Sequence, residues 1–174
     1  MDLWLNKRYS KLLFFTSMLM ITLSAIIALP FLPQQIVSDS FNLMGSGANA
    51  SKQTFLIVQL TFLLVYTLIG YGTVDVLIKA APGGINIPNQ EYWLHSSRIE
   101  NTIGKISAIG YWILFFTNAL IWIISLRIYT EQITGAKIST VFFPVLIILY
   151  LLIVAMFVKK TNNALKNPPG DNIE

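Results

Sequence analysis

Cysteine is absent from the chain, and histidine occurs once, at His95. The first absence excludes disulfides, thiolate metal sites, iron–sulfur ligation and a cysteine nucleophile. The second excludes a haem clamped by two of the chain's own imidazoles, and a histidine-built zinc site unless a partner supplies ligands. Charge is scarce as well. Asp, Glu, Lys and Arg make up 11% of the 174 residues, where a soluble domain carries about 25%. The catalytic signatures H-E-x-x-H, the Walker-A loop and the G-x-S-x-G elbow are all missing. Met44-Gly45-Ser46-Gly47 is glycine-rich but lacks the lysine of a phosphate loop. His95, beside Ser96 and Ser97, reads as a surface histidine rather than a general base. No cofactor, metal or enzymatic activity is expected. The net charge of +4 is scattered between apolar runs, whereas a nucleic-acid binder gathers its basic residues on one face.

What the chain has is apolar length: 55% of its residues are hydrophobic. A helix needs about 20 apolar residues to cross the hydrocarbon core, at about 1.5 Å per residue. Four runs meet this, over about 12–29, 54–78, 106–126 and 138–158. Lipid tolerates no unpaired backbone, so the runs must be helices. The expected fold is all-α, a four-helix transmembrane bundle over 1–160 followed by a polar, mobile tail over 161–174. The first run follows Lys7, Arg8 and Lys11, as a signal peptide would. It is longer than the 7–15 residues of an ordinary signal core, and the nearest small-x-small site, Ala48-Asn49-Ala50, lies far beyond its end. It is therefore read as a retained span.

Orientation follows from the short loops. Of the 12 Lys and Arg residues, nine fall before the first run, between the second and third, or after the fourth. Only Lys52, Arg127 and Lys137 fall on the opposite side. This asymmetry predicts that both termini are cytoplasmic.

The outer loop opens with Pro30 and Pro33, which stop the first helix. Phe41 and Met44 suggest contact with the membrane surface, and the glycines near 45–50 suggest a turn. Asn49-Ala50-Ser51 matches a glycosylation acceptor but reads as a chance occurrence beside the second run. The inner loop carries more information. Pro82-Gly83-Gly84 and Pro88-Asn89 mark turns. Tyr92 and Trp93 suit the headgroup boundary. Ser97 and Glu100 have the spacing of a capping box, so a helix is expected to start near Arg98. Asn86, Pro88, Asn89, Tyr92, Trp93 and Arg98 together form a candidate docking loop.

Few polar residues fall near lipid. Asp75 is the acid closest to a span, and Lys79, four residues on, is its expected interfacial partner. Asn118 lies mid-span and reads as glue between helices, with Gln59 and Tyr66 as candidate partners. Ser24 and Ala28 on the first run, and Gly104 and Ala108 entering the third, would permit close packing. Pro144 falls early in the fourth run, either harmless in a first turn or a kink.

Ile85-Asn86-Ile87-Pro88-Asn89-Gln90-Glu91-Tyr92-Trp93-Leu94, with Arg98 after it, resembles the loop of a family of bacterial integral membrane proteins. These bear a domain of unknown function also found at the N-terminus of SdpI-type immunity proteins. Leu32-Pro33, Ile36, Phe41-Asn42, Gly45 and Ser51-Lys52 are similar to the family's outer-loop pattern. Two positions depart from it. Ser40 stands where the family has a histidine, and His95-Ser96-Ser97 stands where it often has Ala-Pro-Glu. The resemblance implies a bacterial inner-membrane location and brings no reaction with it. The expectation is a non-enzymatic accessory, sensor or immunity-type module, acting through a membrane-protein partner or a homo-oligomer within the lipid bilayer. The alternative is a small transporter or channel component, with Asp75, Asn118 and Gln59 lining a polar path.

Overall fold

In a computed structural model, which describes residues 3–37, 49–135 and 142–166, the apolar runs form four long helices. These are α1 (Lys7–Ala28), α2 (Lys52–Ala80), α3 (Ile99–Thr134) and α4 (Phe142–Lys166). Each is long and apolar enough to cross a membrane, the composition of a multi-pass membrane protein. The helix ends have local causes. Asn6 caps α1, its Oδ1 accepting from the Arg8 and Tyr9 amides at 2.9 and 3.3 Å. Pro30 follows two residues after α1 ends and has no amide to donate, so the helix gives way to a turn in which the Phe31 and Leu32 amides both bond to the Ala28 carbonyl. Ser51 caps α2, its Oγ accepting from the Thr54 amide at 3.1 Å. Gly135, at φ 64°, closes α3 in the left-handed conformation that glycine adopts without strain.

A short hairpin-like pair joins α1 to α2. β1 (Gln35–Val37) runs antiparallel to β2 (Asn49–Ser51), with Ile36 opposite Ala50. The pairing was not foreseen, because three-residue strands leave no periodicity to read. It seats Ile36 and Leu32 against Ala25, Ala28, Leu56 and Tyr129, closing one end of the bundle.

The core lies chiefly between α1 and α3. Ser10, Phe14, Ile21, Ala25 and Ala28 form the buried stripe of α1, at spacings of four, seven, four and three residues. Ile106, Ser107, Ala108, Tyr111, Leu114 and Asn118 answer it from α3. α2 joins through two glycine contacts. A Cβ on Gly70 would lie 2.8 Å from a Leu114 methyl, and a Cβ on Gly110 2.8 Å from a Val74 methyl. Ala28 and Ala108 are buried as the sequence suggested. Gly104 has open space around it instead. α4 is the least engaged helix, with no residue of its most apolar stretch buried. It docks mainly near its end, where the Phe157 ring meets Trp4, Trp112 and Phe116 at 5.1–6.1 Å. The start of the described chain and the end of α4 therefore share one end of the bundle.

One boundary moves. α4 runs on to Lys166, so residues 161–166 are helix and not the start of a polar tail; 167–174 lie outside the described residues. So do Phe41, Met44, the glycines at 45 and 47, Lys137 and the expected start of the fourth run at 138. Pro144 is the third residue of α4, where its missing amide has no intrahelical partner to lose.

Candidate functional site

At the end of the bundle shared by Trp4 and Phe157, Asp75 gathers three partners. The Lys7 ammonium pairs with its Oδ1. Lys11 Nζ lies 2.8 Å from Oδ2, and the Tyr111 hydroxyl donates to the same oxygen at 2.8 Å. The carboxylate side chain is 9% exposed. Lys11 also sits over the Tyr71 ring, 4.7 Å from its centroid. The expected pair with Lys79 is not what Asp75 makes; Lys79 is exposed. The reason is geometric. Asp75 lies within a π-helical segment of α2, Gly72–Leu77, which widens the turn and changes which residues share a face. The Ile78 amide bonds back to the Thr73 carbonyl, five residues earlier. The next carbonyl, that of Val74, accepts from the Ser107 hydroxyl of α3 at 3.3 Å. A ladder returning from π to α spacing passes over one carbonyl, and this hydroxyl lies where such a group needs a donor. The signal that was missed lies in α1: Lys7 and Lys11, four apart, put two cations on one face at the same end as Asp75.

Asn118 is fully buried, as expected of glue. Its partners are on α1, with Nδ2 donating to Ser17 Oγ at 2.9 Å, and not Gln59 or Tyr66. Gln59 instead joins α2 to α3 near the hairpin end. Its Nε2 donates to Ser125 Oγ at 3.0 Å and its Oε1 accepts from the Tyr129 hydroxyl at 2.6 Å. Tyr66 donates to the Leu114 carbonyl at 3.3 Å. Three polar ties thus stand at three levels, and the structure does not assemble Asp75, Asn118 and Gln59 into one path.

The inner loop is shaped by its own residues. Asn89 takes the left-handed conformation at φ 54°, which asparagine tolerates better than most side chains. A single helical turn, Gln90–Trp93, follows. Trp93 is buried, and its indole N–H donates to the Leu165 carbonyl at 2.8 Å. Asn89 Nδ2 donates to the Lys166 carbonyl at 2.8 Å. Both residues therefore hold the last turn of α4, whose carbonyls have no intrahelical donors. Arg98 stacks on the Tyr92 ring at 4.3 Å, and Lys105 on Trp93 at 5.0 Å. Asn86 is exposed and Pro88 half-buried. The capping box does not form: Ser97 Oγ bonds His95 Nδ1 at 2.9 Å, and Arg98, at the N-cap position, offers no side-chain cap. α3 nevertheless starts at Ile99, next to the expected place. Replacing Trp93 with Phe keeps the ring and removes the donor. Amide exchange over residues 162–166 should then quicken while that of α3 stays unchanged; equal exchange in both proteins would show the indole bond to be idle.

No family model, curated protein or solved structure matches the chain. Among the described residues there is also no cluster of three or more His, Cys, Asp or Glu side chains fit to hold a metal.

Proposed function

We propose that the chain is a multi-pass protein of the bacterial cytoplasmic membrane with both ends in the cytoplasm. Its function is that of a non-enzymatic accessory, sensor or immunity-type module acting through lateral contact with a membrane-protein partner or a second copy. The observation that carries this reading is α4. Its side chains at Ile148, Leu149, Leu151, Leu152 and Ile153 are each at least half exposed, across the face opposite the half-buried stripe of Leu146, Tyr150, Val154 and Phe157. Meanwhile the charged and amide groups Asp75, Gln59 and Asn118 of the other helices are each tied to partners within the bundle. In lipid such a face gains nothing from hydrophobic burial, and a partner helix would hold it by van der Waals packing. The end that carries Trp4 and Phe157 also carries the larger share of Lys and Arg, which supports a cytoplasmic placement.

The absence of cysteine makes the test direct. In single-cysteine variants, Gln34→Cys should react with a membrane-impermeant thiol reagent on intact cells. Asn163→Cys should react only after permeabilisation. Labelling of both from the same side would refute the topology. Ile148→Cys and Leu152→Cys should give disulfide or bifunctional-reagent adducts to a second copy or another membrane protein in native membranes. If no α4 position yields an adduct, the lateral-contact reading fails.

A further inference from the structure

We propose that the cleft between the start of α1 and the first turns of α3 binds the anionic phosphodiester headgroup of a membrane phospholipid. The cleft encloses about 600 Å³ and is lined by Asn6, Lys7, Arg8, Asn101, Gly104 and Lys105, with Leu5 completing the wall. Three of these are cations and none is an acid. Asp75 lies behind Lys7 and is shared by Lys7 and Lys11, so one carboxylate faces two ammonium groups and the cluster keeps an excess of positive charge. The start of α1 adds the positive end of a helix dipole. Cations and amides lining a cavity of this size suit a phosphate, which takes several charge-assisted hydrogen bonds at once, with Arg8 the cation whose charge is not already engaged by Asp75 or the Trp93 ring. Basic pockets at the ends of transmembrane helices hold lipid headgroups by this chemistry.

A free phosphate would need only the cleft. The surface below it points to a lipid. Arg8, Leu12, Phe15 and Leu19 recur at helical spacing along one stripe of α1. Leu12, Phe15 and Leu19 are 64%, 41% and 58% exposed. An acyl chain lying on this stripe would hang directly beneath an anion held by Arg8. Gly104 keeps the floor of the cleft open: a Cβ there meets nothing within 4 Å. A larger side chain at this position would fill the cleft without disturbing the bundle.

The inference rests on the membrane reading above, which the cysteine labelling tests separately. Native mass spectrometry of the detergent-extracted full chain would compare three probes. They are short-chain phosphatidylglycerol, phosphatidylcholine with the same chains, and glycerophosphoglycerol, which is the anionic headgroup without chains. Phosphatidylglycerol should bind about tenfold more tightly than either. Gly104→Leu and Arg8→Gln should each reduce that affinity by a similar factor without lowering the melting temperature. Equal binding of the two lipids would overturn the proposal. So would binding of the chainless headgroup as tight as that of the lipid, which would mark a site for a soluble phosphate. Undiminished affinity in Gly104→Leu would place the lipid elsewhere and overturn it as well. A chain correctly placed in the membrane yet blind to lipid charge would remove this inference alone.

Discussion

Asp75→Asn should lower the stability of the bundle by on the order of 2–4 kcal/mol, seen as an earlier tryptophan-fluorescence melt in nanodiscs. The carboxylate is 9% exposed and faces two lysines that are 26% and 34% exposed. Removing its charge leaves Lys7 and Lys11 close together with no counter-ion between them. Their partial exposure lets water relieve part of the cost, which keeps the figure at the lower end for a buried pair. Three companion variants separate the causes. Tyr111→Phe removes one hydrogen bond to a charged acceptor and should cost about 1.5–3 kcal/mol. Lys11→Met in the Asp75→Asn background should recover part of the loss, because it removes an uncompensated cation. Lys79→Met should melt with the parent protein. If Asp75→Asn melted like the parent while Lys79→Met did not, the pairing described here would be wrong.

Gly110→Leu should destabilise the chain by about 3 kcal/mol or more, whereas Gly104→Leu, less than two turns away on the same helix, should be neutral or stabilising. Leucine is favoured over glycine in a helix by somewhat under about 1 kcal/mol, and Gly104 has the space to take that gain. At Gly110 even a Cβ would stand 2.8 Å from a Val74 methyl. Valine is held to few rotamers by its branched Cβ, so the backbone of α2 has to move. Gly70→Ala should be milder than Gly110→Ala, since it meets the end of a leucine side chain, which can rotate away. The melting temperatures should fall from Gly104→Leu through Gly70→Ala and Gly110→Ala to Gly110→Leu; equal values for Gly104→Leu and Gly110→Leu would show that α2 and α3 do not approach as described.

The helices were legible because lipid imposes one rule on every residue of a span, and that rule appears as uninterrupted apolar length. The start of α3 was legible for the wrong local reason. Ser97 and Glu100 have the spacing of a cap, but the hydroxyl found the neighbouring imidazole first. Asp75 went to Lys7 and Lys11 because a π-turn is a tertiary accommodation that no i,i+4 pattern announces. Asn118 was correctly read as a tie between helices, and its partner was not, since which helix faces it depends on packing angles that composition does not encode. Trp93 was placed at the boundary as an aromatic anchor. That its N–H holds the end of α4, 72 residues later, is a long-range pairing invisible to local pattern.

The 36 residues of α3 make a rod about 54 Å long, nearly twice the hydrocarbon thickness of about 30 Å. Tilting does not absorb the difference: at about 40°, the upper end of what crossing helices adopt, the rod still reaches over about 41 Å. Lys105 and Arg127 bound a charge-free stretch between them, whose 21 residues, 106–126, rise about 32 Å. The turns outside this stretch stand among headgroups on both sides. They carry Asn101 and Lys105 of the cleft at one end and the Arg127–Glu131 pair at the other. A bilayer that thins or thickens by a few ångströms therefore wets or dries whole turns that already have their hydrogen bonds. The hydrogen bonds of α3 do not depend on where that boundary falls, because they all lie within the helix.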